Sequence, residues 1–180
     1  MPYDNSYSQL MQSLITSTKD LFPSTKVIRA NENGPEPTGP YISVKVIRDT
    51  QSGQASQDSL LSPSLQSTTI ANYTALVQFS FTSIDEDAAG DLAKTFVQYM
   101  NTSITREVFR RNKLSKLSVS VIRNVPYVRE TVWTQYFNVD VTFSYAVKTT
   151  QTTIPIEVVE ITDSLSGEVF TVPPDVIITP

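Results

Sequence analysis

The stretch YTALVQFSFT, residues 73–82, decides the fold class, because apolar side chains occupy every second position along it. A second stretch, FNVDVTFSYAVK at residues 137–148, repeats the pattern. Successive side chains of a strand point to opposite faces, so each stretch predicts a strand with one buried and one wetter face, as in an antiparallel sheet. The aromatic residues at this spacing are expected in the core rather than stacked on bases: Phe79, Phe81, Phe137, Phe143 and Tyr145.

A helix is predicted between these strands, beginning near Asp85. Its apolar stripe comprises Ala89, Leu92, Ala93, Phe96, Val97, Met100 and Ile104. The polar residues 101–103 are expected to break it into a long and a short helix. An earlier amphipathic helix is predicted from an N-cap at Asp4 or Asn5 to Phe22, ahead of a proline that stops it. The predicted fold class is α+β, a mainly antiparallel twisted β-sheet packed by two helices.

Two short strands are predicted at residues 26–30 and 41–47, on either side of a loop rich in glycine and proline. We expect them to pair antiparallel across that loop. Residues 49–67 are polar and rich in turn-forming residues. A stretch of this length without regular structure is unusual inside a compact domain, so we expect it to be mobile or ordered by a partner.

The last thirty residues change in character. A strand at residues 154–161, a turn and a strand at residues 168–172 predict a hairpin, which a proline-stiffened tail follows. Prolines confine such strands to sheet edges, and an apolar β-branched segment without a covering helix favours strand addition to another chain. We therefore expect a domain at residues 1–150 and, at residues 151–180, a hairpin and extended arm for contacts between subunits or with the neck or sheath.

The composition excludes much catalytic chemistry. The chain has 180 residues, a net charge of -4, no cysteine and no histidine. Disulfides, thiolate nucleophiles, Cys-ligated metals and Ser-His-Asp triads are therefore impossible. An acidic chain is also a poor match for nucleic acid. No apolar run approaches the ~20 residues of a membrane span, and no secretory signal is evident, so we expect a cytosol-like compartment and no membrane.

Two charged clusters leave alternatives open. The carboxylates of Asp85, Glu86, Asp87 and Asp91 are arranged as in a helix start, where they favour the dipole, although a small Mg²⁺-dependent carboxylate enzyme is the alternative. The basic residues Arg106, Arg110, Arg111, Lys113 and Lys116 in part complement the helix end. For the rest of that charge we favour a salt-bridging surface for an acidic neighbour over contact with nucleic acid.

The N-terminal third carries a family resemblance. Asn5-Ser6-Tyr7 opens a Leu/Met helix, and Val27 to Asn31 and Asn33 to Tyr41 (NGPEPTGPY) follow. This sequence, over residues 5–47, resembles the neck or tail terminator group of contractile-tailed bacteriophages, and the order of elements over residues 1–150 is similar to theirs.

The resemblance implies a non-enzymatic virion protein without cofactors, assembled in the bacterial host cytoplasm. Such proteins form a hexameric ring that ends tube and sheath polymerisation and joins the tail to the head connector. The implied partners are other copies of the chain, the tail tube protein, the sheath protein and head connector or neck proteins, with DNA only in transit through the lumen. The alternative placement is a head–tail connector or tail-completion protein one ring nearer the portal.

We expect the interfaces to lie in the two polar loops, the basic helix end and the C-terminal arm. The candidate interface residues are Asn33, Gly34, Pro35, Glu36, Pro37, Asp49, Gln51, Gln54, Asp58, Arg106, Arg110, Arg111, Lys113, Ile156, Val158, Ile161, Val169, Phe170, Val176 and Ile178. No catalytic, metal-ligating or cofactor-binding residue is predicted.

Overall fold

The computed structural model describes residues 6–31, 37, 39–58, 66–129, 132–152, 159–162 and 169–172. Within these ranges the chain forms α1 Ser6–Leu21, β1 Lys26–Arg29, β2 Tyr41–Gln51, β3 Ser56–Asp58, β4 Gln66–Ser83, α2 Glu86–Met100, α3 Ser103–Arg111, β5 Ser115–Val119, β6 Arg123–Asn124, β7 Tyr127–Arg129, β8 Val132–Thr152, β9 Val159–Thr162 and β10 Val169–Val172. The chain divides into two compact units, residues 1–56 with 70–148, and residues 57–69 with 149–180.

A largely antiparallel sheet confirms the predicted α+β class. Its strand order is β1-β2-β4-β8-β5, with β3 beside β4, and with β6 and β7 beside β8. The two long strands read from the alternating pattern are β4 and β8. Their predicted inner residues Val77, Phe79, Val141 and Phe143 are completely buried. The alternation in sequence is therefore the alternation of the two sheet faces.

The pairing of the first two strands differs from the prediction. β1 and β2 are parallel, with Lys26 opposite Tyr41 and Arg29 opposite Val44, whereas an antiparallel pair was expected. To pair parallel, the chain must return from the end of the first strand to the level of its start before the second strand begins. Because β1 has only four residues, that return is only about 13 Å. Glycines and prolines indicate a loop, but they do not indicate its direction.

The polar segment at residues 49–67 is more regular than the sequence suggests. Residues 49–51 continue β2 and pair with residues 73–75 of β4, residues 56–58 form β3, and β4 begins at Gln66. Residues 59–65 lie outside the described part. The prediction of an unstructured segment was therefore wrong at both ends. Pairing uses backbone groups, which polar residues supply as well as apolar ones, so an exposed strand leaves no alternation to detect.

The helices contribute aromatic and aliphatic side chains to the buried face of the sheet. The ring of Phe96 in α2 lies 4.7 Å from that of Phe79 and 5.0 Å from that of Phe81, measured between centroids. The ring of Phe22, just after α1, lies 5.9 Å from the same ring. From α3, Phe109 packs on Phe143 at 4.8 Å. The helical segments therefore pack, together with β4 and β8, around one aromatic core. This confirms the prediction that helices pack on the sheet.

The break in the second helix lies where the sequence placed it. Thr102 caps α3, because its hydroxyl accepts a hydrogen bond from the backbone N–H of Thr105 at 3.3 Å. The predicted apolar stripe does not cross this break intact. Ile104 is 70% exposed, and Thr105 and Phe109 are buried instead. Ile104 was assigned to the stripe because its spacing fits one continuous helix. A new helix starts at Ser103, however, and turns a different face toward the core.

One edge of the sheet is an interrupted strand formed by β5, β6 and β7. All three pair antiparallel with β8, from Ser115 opposite Ser144 to Arg129 opposite Val132. The register shifts between Lys116 and Ser118, which marks a bulge. The edge is therefore divided into three short strands.

The second unit contains the hairpin that the sequence predicts at the end of the chain. β9 and β10 pair antiparallel, with Val159 opposite Val172 and Thr162 opposite Val169. The predicted turn and the tail after Val172 lie outside the described residues.

Candidate assembly interface

The end of α3 is fixed by a Schellman motif. The N–H of Leu114 donates to the carbonyl of Phe109 at 2.9 Å, and the N–H of Lys113 donates to the carbonyl of Arg110 at 3.0 Å. Leu114 and Phe109 are both buried, which supplies the apolar contact of this motif. Lys113 occupies the left-handed position with a φ of 60°, where glycine or asparagine is usual. The motif projects a lysine from the end of the helix.

The arginines of α3 gather around one carboxylate. Arg110 Nε lies 3.0 Å from Glu107 Oε2, and Arg111 Nε lies 3.2 Å from Glu107 Oε1. The hydrogen bonds from Arg110 and then from Arg111 lower the pKa of Glu107. Both arginine side chains remain about three-quarters exposed, at 76% and 73%. One carboxylate therefore leaves an excess of positive charge at this end of the helix.

A groove of about 530 Å³ lies beside this helix end, and we call it the basic groove. Its lining residues are Ser8, Gln9, Gln12, Ser13, Arg111, Asn112 and Lys113. The residues from α1 belong to its first half, the end at which the helix dipole adds positive potential. Hydroxyl and amide side chains provide hydrogen-bonding partners. The groove therefore suits an acidic, polar surface.

The start of α2 forms a surface of opposite charge, which we call the acidic corner, Ile84 to Asp87. The Asp85 carboxylate accepts the backbone N–H of Asp87 at 3.0 Å and so caps the helix. Glu86 and Asp87 are exposed in the first turn. Ile84 is 76% exposed beside them. The corner therefore combines exposed carboxylates with an exposed apolar side chain.

A second groove, of about 260 Å³, adjoins the acidic corner. Its lining residues are Glu86, Asp87, Gly90, Asp91, Lys94, Ile122, Asn124 and Phe137. Gly90 lets the ring of Phe137 approach α2, since a Cβ atom at that position would lie 3.5 Å from the ring. The groove therefore joins the start of α2 to the far end of the edge formed by β5 and β6.

Apolar side chains stand exposed along the same edge. Val121 is 77% exposed, and Leu117 and Val125 are more than half exposed. An edge strand offers unpaired backbone groups to a neighbouring chain, and exposed apolar side chains increase the tendency of such an edge to associate. A further small groove of about 210 Å³ lies where the three helices meet, lined by Asp20, Leu21, Tyr99, Thr102, Ile104, Thr105 and Val108.

The carboxylates of α2 are not arranged as a metal centre in the part of the chain that the structure describes. Among those residues, no group of three or more acidic, histidine or cysteine side chains is placed to hold an ion. Asp85 instead serves as the helix cap, and Asp91 lies 3.8 Å from Lys94 in an exposed ion pair.

The comparison with protein families decides what kind of protein this is. The model of a family described as phage neck terminator protein matches residues 8–168. The chain belongs to the phage neck terminator family. The match spans α1, the whole sheet and the start of the C-terminal hairpin, so the resemblance read from the N-terminal third extends over most of the chain. A search of curated proteins finds no match.

Membership gives this neck terminator a structural, tail-terminating role and makes it a component of the virion. It also implies interaction with other tail or head proteins of the phage. None of the helices in the described residues is long and apolar enough to cross a membrane.

The structure brings only some of the predicted interface residues of the neck terminator together. Arg106, Arg110, Arg111 and Lys113 lie on or just after α3. Asp49 and Gln51 end β2, Gln54 follows it, Asp58 ends β3, and Pro37 precedes β2 outside any helix or strand. Ile161, Val169 and Phe170 lie in β9 and β10. The remaining candidates fall outside the described residues: Asn33, Gly34, Pro35, Glu36, Ile156, Val158, Val176 and Ile178.

Sequence reasoning missed two features of the neck terminator surface. Val121 and Val125 are not among the predicted interface residues, and only their exposure marks them as candidates for contact. The second missed feature is a polar cluster around Asp140. Its carboxylate forms an ion pair with Arg123 at 2.5 Å and accepts a hydrogen bond from Gln78 at 3.5 Å. No spacing in the sequence signals this cluster, because its members come from three separate strands.

Proposed function

We propose that this neck terminator forms a hexameric ring at the head-proximal end of the phage tail. There it ends polymerisation of the tube and the sheath and joins the tail to the head connector. The observation that carries the proposal is the family match over residues 8–168. The acidic chain, at -4 per copy, is in keeping with a ring through which DNA passes without binding.

The surfaces of the described residues support self-association. A closed ring needs heterologous contacts, in which one patch of a subunit meets a different patch of the next. The basic groove and the acidic corner are two such patches, and the exposed residues Leu117, Val121 and Val125 lie along the edge between them. Burying exposed apolar side chains against a neighbour contributes to association.

The C-terminal hairpin is proposed as a contact arm. Residues 151–180 are expected to reach a neighbouring subunit, the sheath or the neck, while residues 1–150 form the body of the ring. The apolar, β-branched sequence of β9 and β10 supports this assignment, because such strands add readily to another sheet edge.

Phage that lacks the gene for this chain tests the function. A terminator is expected to leave tails whose tubes vary in length and fail to join heads, and a supplied wild-type copy restores both. The two placements differ in this assay. Tubes of normal length that still fail to join heads would contradict termination and favour a connector one ring nearer the portal.

A further inference from the structure

The two charged surfaces carry opposite net charges. At the basic groove and the helix end beside it, three cations lie near one carboxylate: Arg110, Arg111 and Lys113 near Glu107. At the start of α2, four carboxylates surround one cation: Asp85, Glu86, Asp87 and Asp91 against Lys94. The excess is therefore two positive charges on one surface and three negative charges on the other. Surfaces of this kind attract each other at close range.

The lysine at the basic groove stands in an unfavourable backbone conformation. Lys113 has a φ of 60°, and a residue with a Cβ atom is strained there relative to glycine. The Schellman motif needs only the left-handed backbone, not the ammonium group. The motif therefore does not account for the charge at this position, which lies in the lining of the basic groove.

The two surfaces cannot neutralise each other within one chain. The basic groove ends at Lys113, just before β5, whereas the groove at the acidic corner includes Ile122 and Asn124 at β6. Ser115 and Asn124 pair with Ser144 and Phe137, seven residues apart on β8, so at about 3.3 Å per residue the two surfaces lie roughly 23 Å apart along this edge. Charges at that distance are screened, because the Debye length is about 8 Å at physiological salt. The groove and the corner of one subunit therefore do not neutralise each other, whereas those of two copies can.

We infer that the basic groove of one subunit binds the acidic corner of the next copy of the chain. The inference rests on the proposed ring and names the contact that closes it. Glu86 and Asp87 of the corner meet Arg111 and Lys113 of the groove, and Ile84 becomes buried in the contact. Because the two patches differ and lie at opposite ends of one edge, repetition of this contact runs head to tail, as a closed ring requires.

Charge reversal in the full-length chain tests the contact. The groove variant Arg111→Glu/Lys113→Glu carries two negative surfaces, and the corner variant Glu86→Lys/Asp87→Lys carries two positive ones. Each variant alone is expected to assemble at least about tenfold more weakly than the wild type, since like charges meet at every contact. An equimolar mixture is expected to recover rings in which the two variants alternate. A variant that combines all four substitutions is expected to form rings by itself.

Controls separate folding from assembly. Lys26→Glu/Lys45→Glu changes the net charge as the groove variant does, at two exposed positions away from both surfaces, and it is expected to leave assembly unchanged. Circular dichroism and the urea midpoint confirm that each variant is folded. Mass photometry then gives the ring fraction as a function of concentration.

The outcomes distinguish this contact from the proposed function. Rings of the wild type together with undiminished rings of either reversed variant would overturn the contact alone. A wild type that stays monomeric, with a mixture that also stays monomeric, would overturn the ring and the contact together.

The acidic C-terminal unit is the main rival for the groove. Residues 57–69 and 149–180 contain six carboxylates and no lysine or arginine: Asp58, Glu157, Glu160, Asp163, Glu168 and Asp175. If the groove variant fails to assemble and the corner variant does not restore it, the occupant is another acidic segment and our inference is wrong.

Discussion

The hydroxyl of Tyr145 donates a hydrogen bond of 2.5 Å to the carboxylate of Asp49, which lies 96 residues earlier in the chain. Tyr145 belongs to β8 and Asp49 to β2, on opposite sides of the central strand β4. Asp49 pairs in register with Ala75, whose small side chain leaves room for the bond to pass over β4. The ring of Tyr73 stacks on that of Tyr145 at 5.5 Å. The contact therefore ties β2 and β8 together across β4.

Removal of this hydroxyl is expected to weaken the fold modestly. Tyr145→Phe keeps the ring and its stacking on Tyr73, but it loses a hydrogen bond to a charged acceptor. Such bonds contribute about 1.5–3 kcal/mol, and because Asp49 is exposed we expect a loss of about 1 kcal/mol in the free energy of unfolding. Urea titration measures it, with Tyr7→Phe as the control at an exposed ring. Equal stability of the Tyr145 variant and the wild type would contradict a structural role for the bond.

The same bond predicts a dependence of stability on alkaline pH. Burial, and then the bond to Asp49, raise the pKa of Tyr145 above its usual range. The unfolded chain releases this proton above about pH 10, while the folded chain retains it. The stabilisation is therefore complete below pH 10 and declines as pH rises further. The difference in the free energy of unfolding between the wild type and Tyr145→Phe should shrink between pH 9 and pH 11, and a constant difference would contradict this.

Gly90 offers a test of the packing between α2 and β8. A Cβ atom at this position would lie 3.5 Å from the ring of Phe137, an ordinary contact. Gly90→Ala is therefore expected to raise the free energy of unfolding by about 0.5–1 kcal/mol, because alanine is favoured in a helix interior. Gly90→Leu should instead displace the ring and destabilise the fold. Thermal melts of the two variants check both signs, and a loss of stability in Gly90→Ala would show that the space is smaller than described.

Lys113→Gly separates the stability of the subunit from assembly. Glycine relieves the left-handed backbone at the end of α3, so the free energy of unfolding should rise by about 0.5–1 kcal/mol. The same change removes a cation from the basic groove, so assembly should require a higher concentration. Urea titration under monomeric conditions and mass photometry measure the two effects. A variant that is both more stable and equally well assembled would show that the lysine does not act at an interface.

The sequence predicted those parts of the fold that follow from local periodicity. Val77 and Phe79 lie at period two in a half-buried strand, and the polar residues 101–103 mark the break between α2 and α3. The direction of β1 and the strand at residues 49–51 were not predictable, because an exposed pairing depends on the path of the connecting loop and not on apolar spacing. Ile104 was misplaced because helical spacing does not continue across a new cap.

The candidate interface was predicted only as a charge pattern. Arg110 and Lys113 were recognised as a basic helix end, but the groove beside them requires α1, which lies ninety or more residues earlier in the chain. Likewise, the bond between Tyr145 and Asp49 joins β2 and β8 across β4 and has no local signal. Contacts between segments that are distant in sequence become visible only in the folded structure.

Truncation tests the proposed division of the chain. Deletion of residues 154–180 is expected to leave a folded, soluble body, because the aromatic core lies in α1 to α3, β4 and β8. The same deletion should impair the joining of neck and tail. Loss of the cooperative thermal melt in the truncated protein would show that the C-terminal segment belongs to the core.

The mass of the purified assembly tests the central claim most directly. Six copies of a 20.0 kDa chain give a ring of 120 kDa. We expect mass photometry to show a discrete species of that mass, which dissociates as salt screens the charged contact. A chain that remains at 20.0 kDa at every concentration would contradict a protein that works by closing a ring.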